Sequence, residues 1–270
     1  MDSVIKYHGG KHYLASRIVD LFPPHTHYVE PYFGSGAVLF ASDPTDRSEV
    51  VNDIDARLMN FWTVLRDPTL FNSLQRTLQA TPFGEPMFRL AVGTRMRDAV
   101  TDAADLFTEI RQSLAGRRRD PAPLSRNRTR RGMNEQCSAW LNAINGLPEI
   151  HTRLQRVALL CRPAIEVILS QDGPRTLFYC DPPYHPATRA DPAVYAHEMT
   201  AAQHEALALT LRRISGKAIV SGYRCPDYDK WYADWRRIDF DAPNNAAGGS
   251  TKNRVVESVW CNYADVQRSM

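Results

Sequence analysis

The spacing of apolar and polar positions changes character twice along this chain. Residues 12–22 place Leu14, Ile18 and Leu21 on one helical face. A short strand around Tyr28-Val29 leads into a glycine-rich turn and a helix, and a second strand, Glu49-Val50-Val51, ends at Asn52-Asp53-Ile54-Asp55. From about 56 to 156 the spacing is helical, as in Leu58, Trp62 and Leu65, then Leu70, Leu74 and Leu78, then Leu106, Ile110 and Leu114. Strand signals resume at Ala164–Ile168 and at Thr176–Cys180. A helix over 200–214, a strand at Lys217–Ser221, a short helix near 226–233 and a strand from Trp235 to Phe240 follow. Residues 241–253 read as a long loop, and Val255–Cys261 closes the chain as a last strand. This order predicts an α/β fold, a doubly wound sheet with an inserted, mainly helical lobe. The boundaries put the core in residues 1–55 and 157–270 and the insert in 56–156.

Composition narrows the class. Of 270 residues, 43% are hydrophobic, and no apolar run approaches the ~20 residues of a membrane span. Met1–Lys6 lacks the apolar core of a signal peptide. Five scattered cysteines without a Cys-x-x-Cys pair suit reduced thiols rather than structural zinc. The expected setting is therefore cytoplasmic, with no membrane and no metal. The formal charge of +3 permits a polyanionic partner without requiring one.

Chemistry concentrates first at Asp181-Pro182-Pro183-Tyr184, directly after the apolar run Thr176–Cys180. In open α/β sheets ligands bind at the carboxyl ends of strands. Proline fixes its own φ and restricts the residue before it, so the Asp181 carboxylate and the Pro182 carbonyl form a rigid pair of acceptors. A flat group with an exocyclic amine, stacked on Tyr184, suits such a site. A Pro-rich turn after a strand is also common, so the four residues alone decide nothing.

The turn Phe33-Gly34-Ser35-Gly36 is the second signal. Its glycines allow close approach of a ligand to the backbone. Asp53 ends the next strand near the ~20-residue spacing at which nucleotide sites hold ribose hydroxyls. Leu39 stands where a dinucleotide fingerprint has its third glycine, and Glu30 would repel a phosphate. A nucleoside without phosphate, or a cationic ligand, fits better than a pyrophosphate. Tyr7-His8-Gly9-Gly10-Lys11 adds a turn flanked by a ring and an ammonium group.

In that order, Tyr7-x-Gly-Gly-Lys11, Glu30–Gly36, Asn52-Asp53 and Asp181–Tyr184 resemble the alpha group of DNA adenine-N6 methyltransferases, which includes the Dam-like enzymes. The similarity covers residues 4–66 and 160–263. It implies a Rossmann-like methyltransferase sheet with a terminal antiparallel strand, S-adenosylmethionine as cofactor and S-adenosylhomocysteine as product. By position, Tyr7 and Lys11 would contact the cofactor, Phe33, Gly34, Ser35 and Gly36 would line its methionine part, and Glu30 and Asp181 would border it. Asp53 would take the ribose hydroxyls, while Asp181, Pro182, Pro183 and Tyr184 would form the adenine clamp. A cytosine-N4 methyltransferase uses a similar tetrapeptide and is the nearest rival. A DNA-binding relative without catalysis is the second. No Dam-like recognition hairpin maps onto 56–156.

That insert has its own feature. Arg117, Arg118, Arg119, Arg126, Arg128, Arg130 and Arg131 crowd a stretch in which Asp120 is the lone acid. A solvated charged loop is the usual fate of such a run, but arginine pairs bidentately with guanine or phosphate, which favours DNA contact. Lys252 and Arg254 are a weaker candidate. The expected partners are double-stranded DNA and a cognate restriction endonuclease, with the chain a monomer or weak dimer in a bacterial or phage-infected cell. His8, His12, His25 and His27 read as surface imidazoles, Trp231 and Trp235 as anchors of the core, and Cys180 as packing rather than a nucleophile.

Overall fold

The structure is a computed structural model that describes residues 4–5, 11–93, 98–188, 197–243 and 254–264. The chain divides into two compact units. One comprises Met1–His12, Gly34–Ala41 and Asp55–Leu159, and the other Tyr13–Phe33, Ser42–Ile54 and Leu160–Met270. In chain order the elements are α1 (Ala15–Val19), β1 (His27–Glu30), α2 (Ala37–Ala41), β2 (Ser48–Asn52), α3 (Ala56–Arg66), α4 (Pro68–Ala80), α5 (Glu85–Gly93) and α6 (Ala99–Arg111). Then come β3 (Thr129–Arg130), β4 (Met133–Asn134), α7 (Glu135–Asn145), α8 (Leu147–Leu154), β5 (Val157–Leu160), α9 (Ala164–Gln171) and β6 (Thr176–Cys180). The chain ends with α10 (Ala201–Leu211), β7 (Lys217–Gly222), α11 (Pro226–Trp231), β8 (Arg236–Pro243) and β9 (Arg254–Cys261).

The sheet has the order β5-β2-β1-β6-β7-β9-β8. Strands β2, β1, β6 and β7 run parallel to one another, and β9 runs antiparallel to both β7 and β8. This is the Rossmann-like sheet with a terminal antiparallel strand. Strand β1 is followed by β2 on one side, and β6 lies on its other side. The winding therefore reverses between β1 and β6, which is the switch point where open α/β sheets bind ligands.

Side chains alternate across a strand, and the two faces differ in chemistry. Val29, Phe178, Cys180, Val220 and Trp260 pack with Val167, Ile168, Leu207, Leu211 and Tyr228 from α9, α10 and α11, and with Tyr232 just after α11. The other face carries Tyr28, Glu30, Tyr179, Asp181 and Ser221. Trp235 lies in the apolar core and Trp231 packs against it.

The first unit is built mainly from helices whose starts are fixed by short acceptor side chains. Asp55 accepts from the backbone N–H groups of Arg57 and Leu58, Asp67 from those of Thr69 and Leu70, and Asp98 from those of Val100 and Thr101. Pro68 at the first turn of α4 needs no donor there. Phe61 and Phe107 stack at 5.8 Å between α3 and α6, beside Trp62 and Trp140.

Two expectations change. Ala164–Ile168 is the start of α9, not a strand, with Pro163 at the N-cap position. The strand lies earlier, at Val157–Leu160. Residues 56–156 carry almost no strand signal in the sequence, yet Thr129 pairs with Asn134 and Arg130 with Met133.

Candidate active site

Four strand ends converge on one edge of the sheet in the second unit. Strand β1 ends at Glu30, β2 at Asn52, β6 at Cys180 and β7 at Gly222. Their parallel register aligns these ends: Val29 lies level with Val50 and Phe178, and Cys180 with Val220. Asp53 and Asp181 each stand one residue beyond their strands, half-buried.

Asn52 ties this edge together. Fully buried, it donates from Nδ2 to the carbonyls of Pro31 at 3.0 Å and Arg162 at 2.9 Å, and its Oδ1 accepts from the Arg162 N–H at 2.9 Å. The Phe33 N–H donates to the Asn52 carbonyl at 2.8 Å. The segment from Pro31 to Phe33 is thus fastened to the end of β2. Glu30 is buried and accepts from the Tyr28 hydroxyl at 2.6 Å. Burial, and then the Glu30 charge, hold the Tyr28 phenol well above its usual range, so it remains a donor.

The Asp181 carboxylate is held from below. Ser221 donates from Oγ to Asp181 Oδ1 at 2.8 Å, and the Tyr179 hydroxyl lies 3.0 Å from Ser221 Oγ. With its one proton directed to Asp181, Ser221 accepts from Tyr179. Pro182 is buried and Pro183 half-buried. The Tyr184 ring is buried, stacks on Tyr223 at 4.4 Å between centroids, and donates its hydroxyl to Glu257. Cys180 is buried, and burial pushes its thiol far up, followed by the charges of Asp181 and Glu30. It is a packing residue with no nucleophilic thiolate.

The glycine-rich turn belongs to the first unit. Gly34 has φ 49° and Gly36 φ 68°, left-handed values that carry a steric penalty for other residues. Trp62 Nε1 donates to the Gly34 carbonyl at 3.2 Å, and Phe40 donates its N–H to that of Gly36 at 3.0 Å. Ser35 and Lys11 are buried, and Leu39 is a core residue. Tyr7 lies outside the described residues.

Carboxylates at the switch point and a rigid Asp-Pro-Pro-Tyr segment suit a cationic nucleoside and a flat amine. The sequence matches the family described as D12 class N6 adenine-specific DNA methyltransferase over residues 7–118 and 125–245. The chain belongs to this family. No curated protein matches the chain. Dependence on S-adenosylmethionine is general for D12-class enzymes, and adenine N6, rather than cytosine N4, is their target.

In this D12-class methyltransferase the arginine cluster is partly built into the first unit. Arg118, at φ 60°, donates from Nε to Glu109 at 3.0 Å, and Arg57 holds the same carboxylate at 2.7 Å. Arg131 donates to Asn142 Oδ1 at 2.9 Å. Arg117, Arg119, Arg126, Arg128 and Arg130 are exposed. The β3–β4 hairpin turns through Arg131 and Gly132, whose φ values of 55° and 74° match a two-residue type I′ turn. Asn134 secures its base, accepting from the Gln136 N–H and donating to the Ser125 carbonyl. Lys252 lies outside the described residues, and only the backbone of Arg254, the first residue of β9, is described.

His25 and His27 are half-buried and hydrogen-bonded. His25 bonds the Pro23 carbonyl and Arg47, while His27 bonds Ser48 and Gln171. Among the described residues no group of three or more His, Cys, Asp or Glu side chains is arranged to hold a metal. Ser221, Tyr223 and Glu257 border Asp181 and Tyr184 without any motif to mark them in the sequence. Ser221 and Tyr223 stand at the end of a predicted strand, and that position was their one available signal.

Proposed function

We propose that this methyltransferase extrudes an adenine from duplex DNA and methylates its N6 in a clamp formed by Asp181, Pro182 and Tyr184. The observation that carries the reading is Asp181 at the end of β6, beside β1 at the switch point, with its carboxylate fixed by Ser221. Extrusion costs a few kcal/mol, and the Tyr184 ring offsets part of the lost stacking.

Adenine N6 is a weak nucleophile because its lone pair is delocalised into the ring. Asp181 and the Pro182 carbonyl accept its two N–H bonds, which favours a pyramidal amine and stabilises the positive charge that develops on nitrogen. Pro183 keeps the acceptor pair rigid. These residues would hold N6 for the methyl group, and the proton that N6 releases after transfer would pass to solvent. S-Adenosylmethionine supplies the activated methyl group when bound. The residues present fit it: the buried Glu30 carboxylate and Asp53 suit a cationic ligand with ribose hydroxyls. Tyr7, Lys11, Phe33, Gly34, Ser35 and Gly36 complete the proposed cofactor contacts. In-line placement of N6 supplies much of the rate.

Residues 56–156 act in this proposal as the target-recognition lobe on a core of 1–55 and 157–270. Arg126, Arg128 and Arg130 on and beside the hairpin, with Arg117, Arg119, Arg131, Lys252 and Arg254, contact DNA. Arg118 has the weakest claim because Glu109 holds it. A cognate restriction endonuclease and a monomeric or weakly dimeric cytoplasmic state belong to the same proposal. Sequencing the methylation pattern of DNA from cells expressing the wild type and Asp181→Ala tests it. N6-methyladenine at a defined sequence, lost in the variant while S-adenosylmethionine still binds, is expected; wild-type turnover by Asp181→Ala overturns it.

A further inference from the structure

Glu257 is a carboxylate only 5% exposed, on strand β9 between Val256 and Ser258. Burying a carboxylate is costly unless it is well partnered, and packing alone asks for none on this strand. Its position is explained by Tyr184. The Tyr184 hydroxyl lies 3.2 Å from Oε1 and 3.1 Å from Oε2 of Glu257, so one proton is shared across both carboxylate oxygens. The same ring is covered on one side by Tyr223 at 4.4 Å with planes inclined by 29°. Tyr223 directly follows β7, to which β9 is paired through Gly222 and Ser258. A tyrosine following two prolines is therefore held at its hydroxyl and against one face.

We propose that Glu257 is the positioning residue for Tyr184: through the hydroxyl it fixes the ring in the plane that receives the flipped adenine. This rests on the reading of Tyr184 as the base-holding ring. A ring fixed beforehand loses no rotational freedom when the base arrives, so the contact contributes more to capture. Accepting from the hydroxyl, the Glu257 side chain also keeps the phenol's proton turned away from the base.

The test is a double-mutant cycle on the full chain, with duplex DNA carrying the target adenine located by methylation sequencing. Glu257→Ala and Tyr184→Phe should each lower kcat/KM by roughly tenfold to a hundredfold, the range for a hydrogen bond to a charged group. The double variant should be no worse than the poorer single one. Glu257→Gln, which keeps an acceptor, should restore most of the loss. Emission of 2-aminopurine at the target position should fall in parallel with kcat/KM, while S-adenosylmethionine affinity is unchanged. Multiplying losses in the double variant, or wild-type turnover by Glu257→Ala, overturns the proposal. If Glu257→Ala does not fold, Tyr184→Phe decides, because it removes the same hydrogen bond: the expected loss supports positioning, and wild-type turnover overturns it. Tyr184→Ala separates the two layers. Its full activity would remove the base-holding role itself, whereas its inactivity beside a fully active Glu257→Ala would remove only the role of Glu257.

Discussion

Ser221 directs its hydroxyl proton to Asp181 Oδ1 at 2.8 Å, joining the ends of two adjacent parallel strands. The bond sets which way the proposed catalytic carboxylate faces, and Tyr179 in turn orients Ser221. Ser221→Ala removes this support while changing little volume. It should lower kcat about tenfold, the value of one hydrogen bond of roughly 1.4 kcal/mol, with S-adenosylmethionine affinity retained. Single-turnover kinetics at saturating DNA is the direct measurement. An unaltered rate would show that Asp181 needs no such support.

The arginines of the first unit divide by partner, and that division predicts opposite phenotypes. Arg130 is exposed on the hairpin, whereas Arg118 is an ion-pair partner of the buried Glu109. Arg130→Ala should weaken DNA binding and reduce the magnitude of the slope of log affinity against log salt by about 1, with thermal stability unchanged. Arg118→Ala should lower stability by about 1–3 kcal/mol, because Glu109 keeps a single guanidinium partner. Salt titrations of DNA binding, set beside melting curves, separate the two. Equal effects of both variants on both measurements would refute the division.

Asn52 is the second support of the site, and its loss should be felt in stability before chemistry. Asn52→Ala leaves two carbonyls and the Arg162 N–H without this partner at a fully buried position. A cost of about 2–4 kcal/mol is expected, with S-adenosylmethionine affinity falling because the segment from Pro31 to Phe33 loses its attachment. Urea unfolding combined with calorimetric titration checks both. A stable variant with weakened binding would assign Asn52 to the ligand instead of the scaffold.

The residues that were legible in the sequence are those marking the end of a local pattern. Asp181 closes an apolar run, Asp53 closes another, and Gly34 and Gly36 interrupt a third, so strand ends and chemistry coincide. Ala164–Ile168, with three β-branched residues and the single charge of Glu166, suits a buried strand as well as a helix. Its proper signal was Pro163 at the N-cap position, and the exposure of Leu169 beside buried Val167 and Ile168 is helical. The β3–β4 hairpin has two-residue strands, too short for any periodicity, and is held by Asn134 and the left-handed turn. The contacts of Ser221 with Asp181 and of Glu257 with Tyr184 span 40 and 73 residues. They exist only once β7 and β9 are placed beside β6, which is a property of sheet order and not of local spacing.

His25 makes the stability of the second unit depend on pH. Its Nδ1 bonds the Pro23 carbonyl at 2.7 Å, and its Nε2 accepts from Arg47 Nη1 at 2.9 Å. Burial lowers its pKa from 6.5 against the bond to the Pro23 carbonyl, which raises it; the charges of Arg47 and His27 add to the lowering and that of Glu49 opposes it. Arg47 also donates to Ser42 at 2.8 Å and pairs with Glu49 at 3.2 Å, so a protonated His25 would oppose a guanidinium that is already fixed. The sign follows from linkage. Below the unfolded value of 6.5 the unfolded chain binds a proton that the native imidazole refuses, so its contribution is present above that pH. It is lost as pH falls through the lower native value. Urea midpoints measured from about pH 7.5 down to about pH 5, above the main carboxylate range, should therefore decline. They should decline less steeply in His25→Gln, whose side-chain oxygen can still accept from Arg47 without titrating. Parallel slopes in the two proteins would show that His25 contributes nothing to the pH dependence.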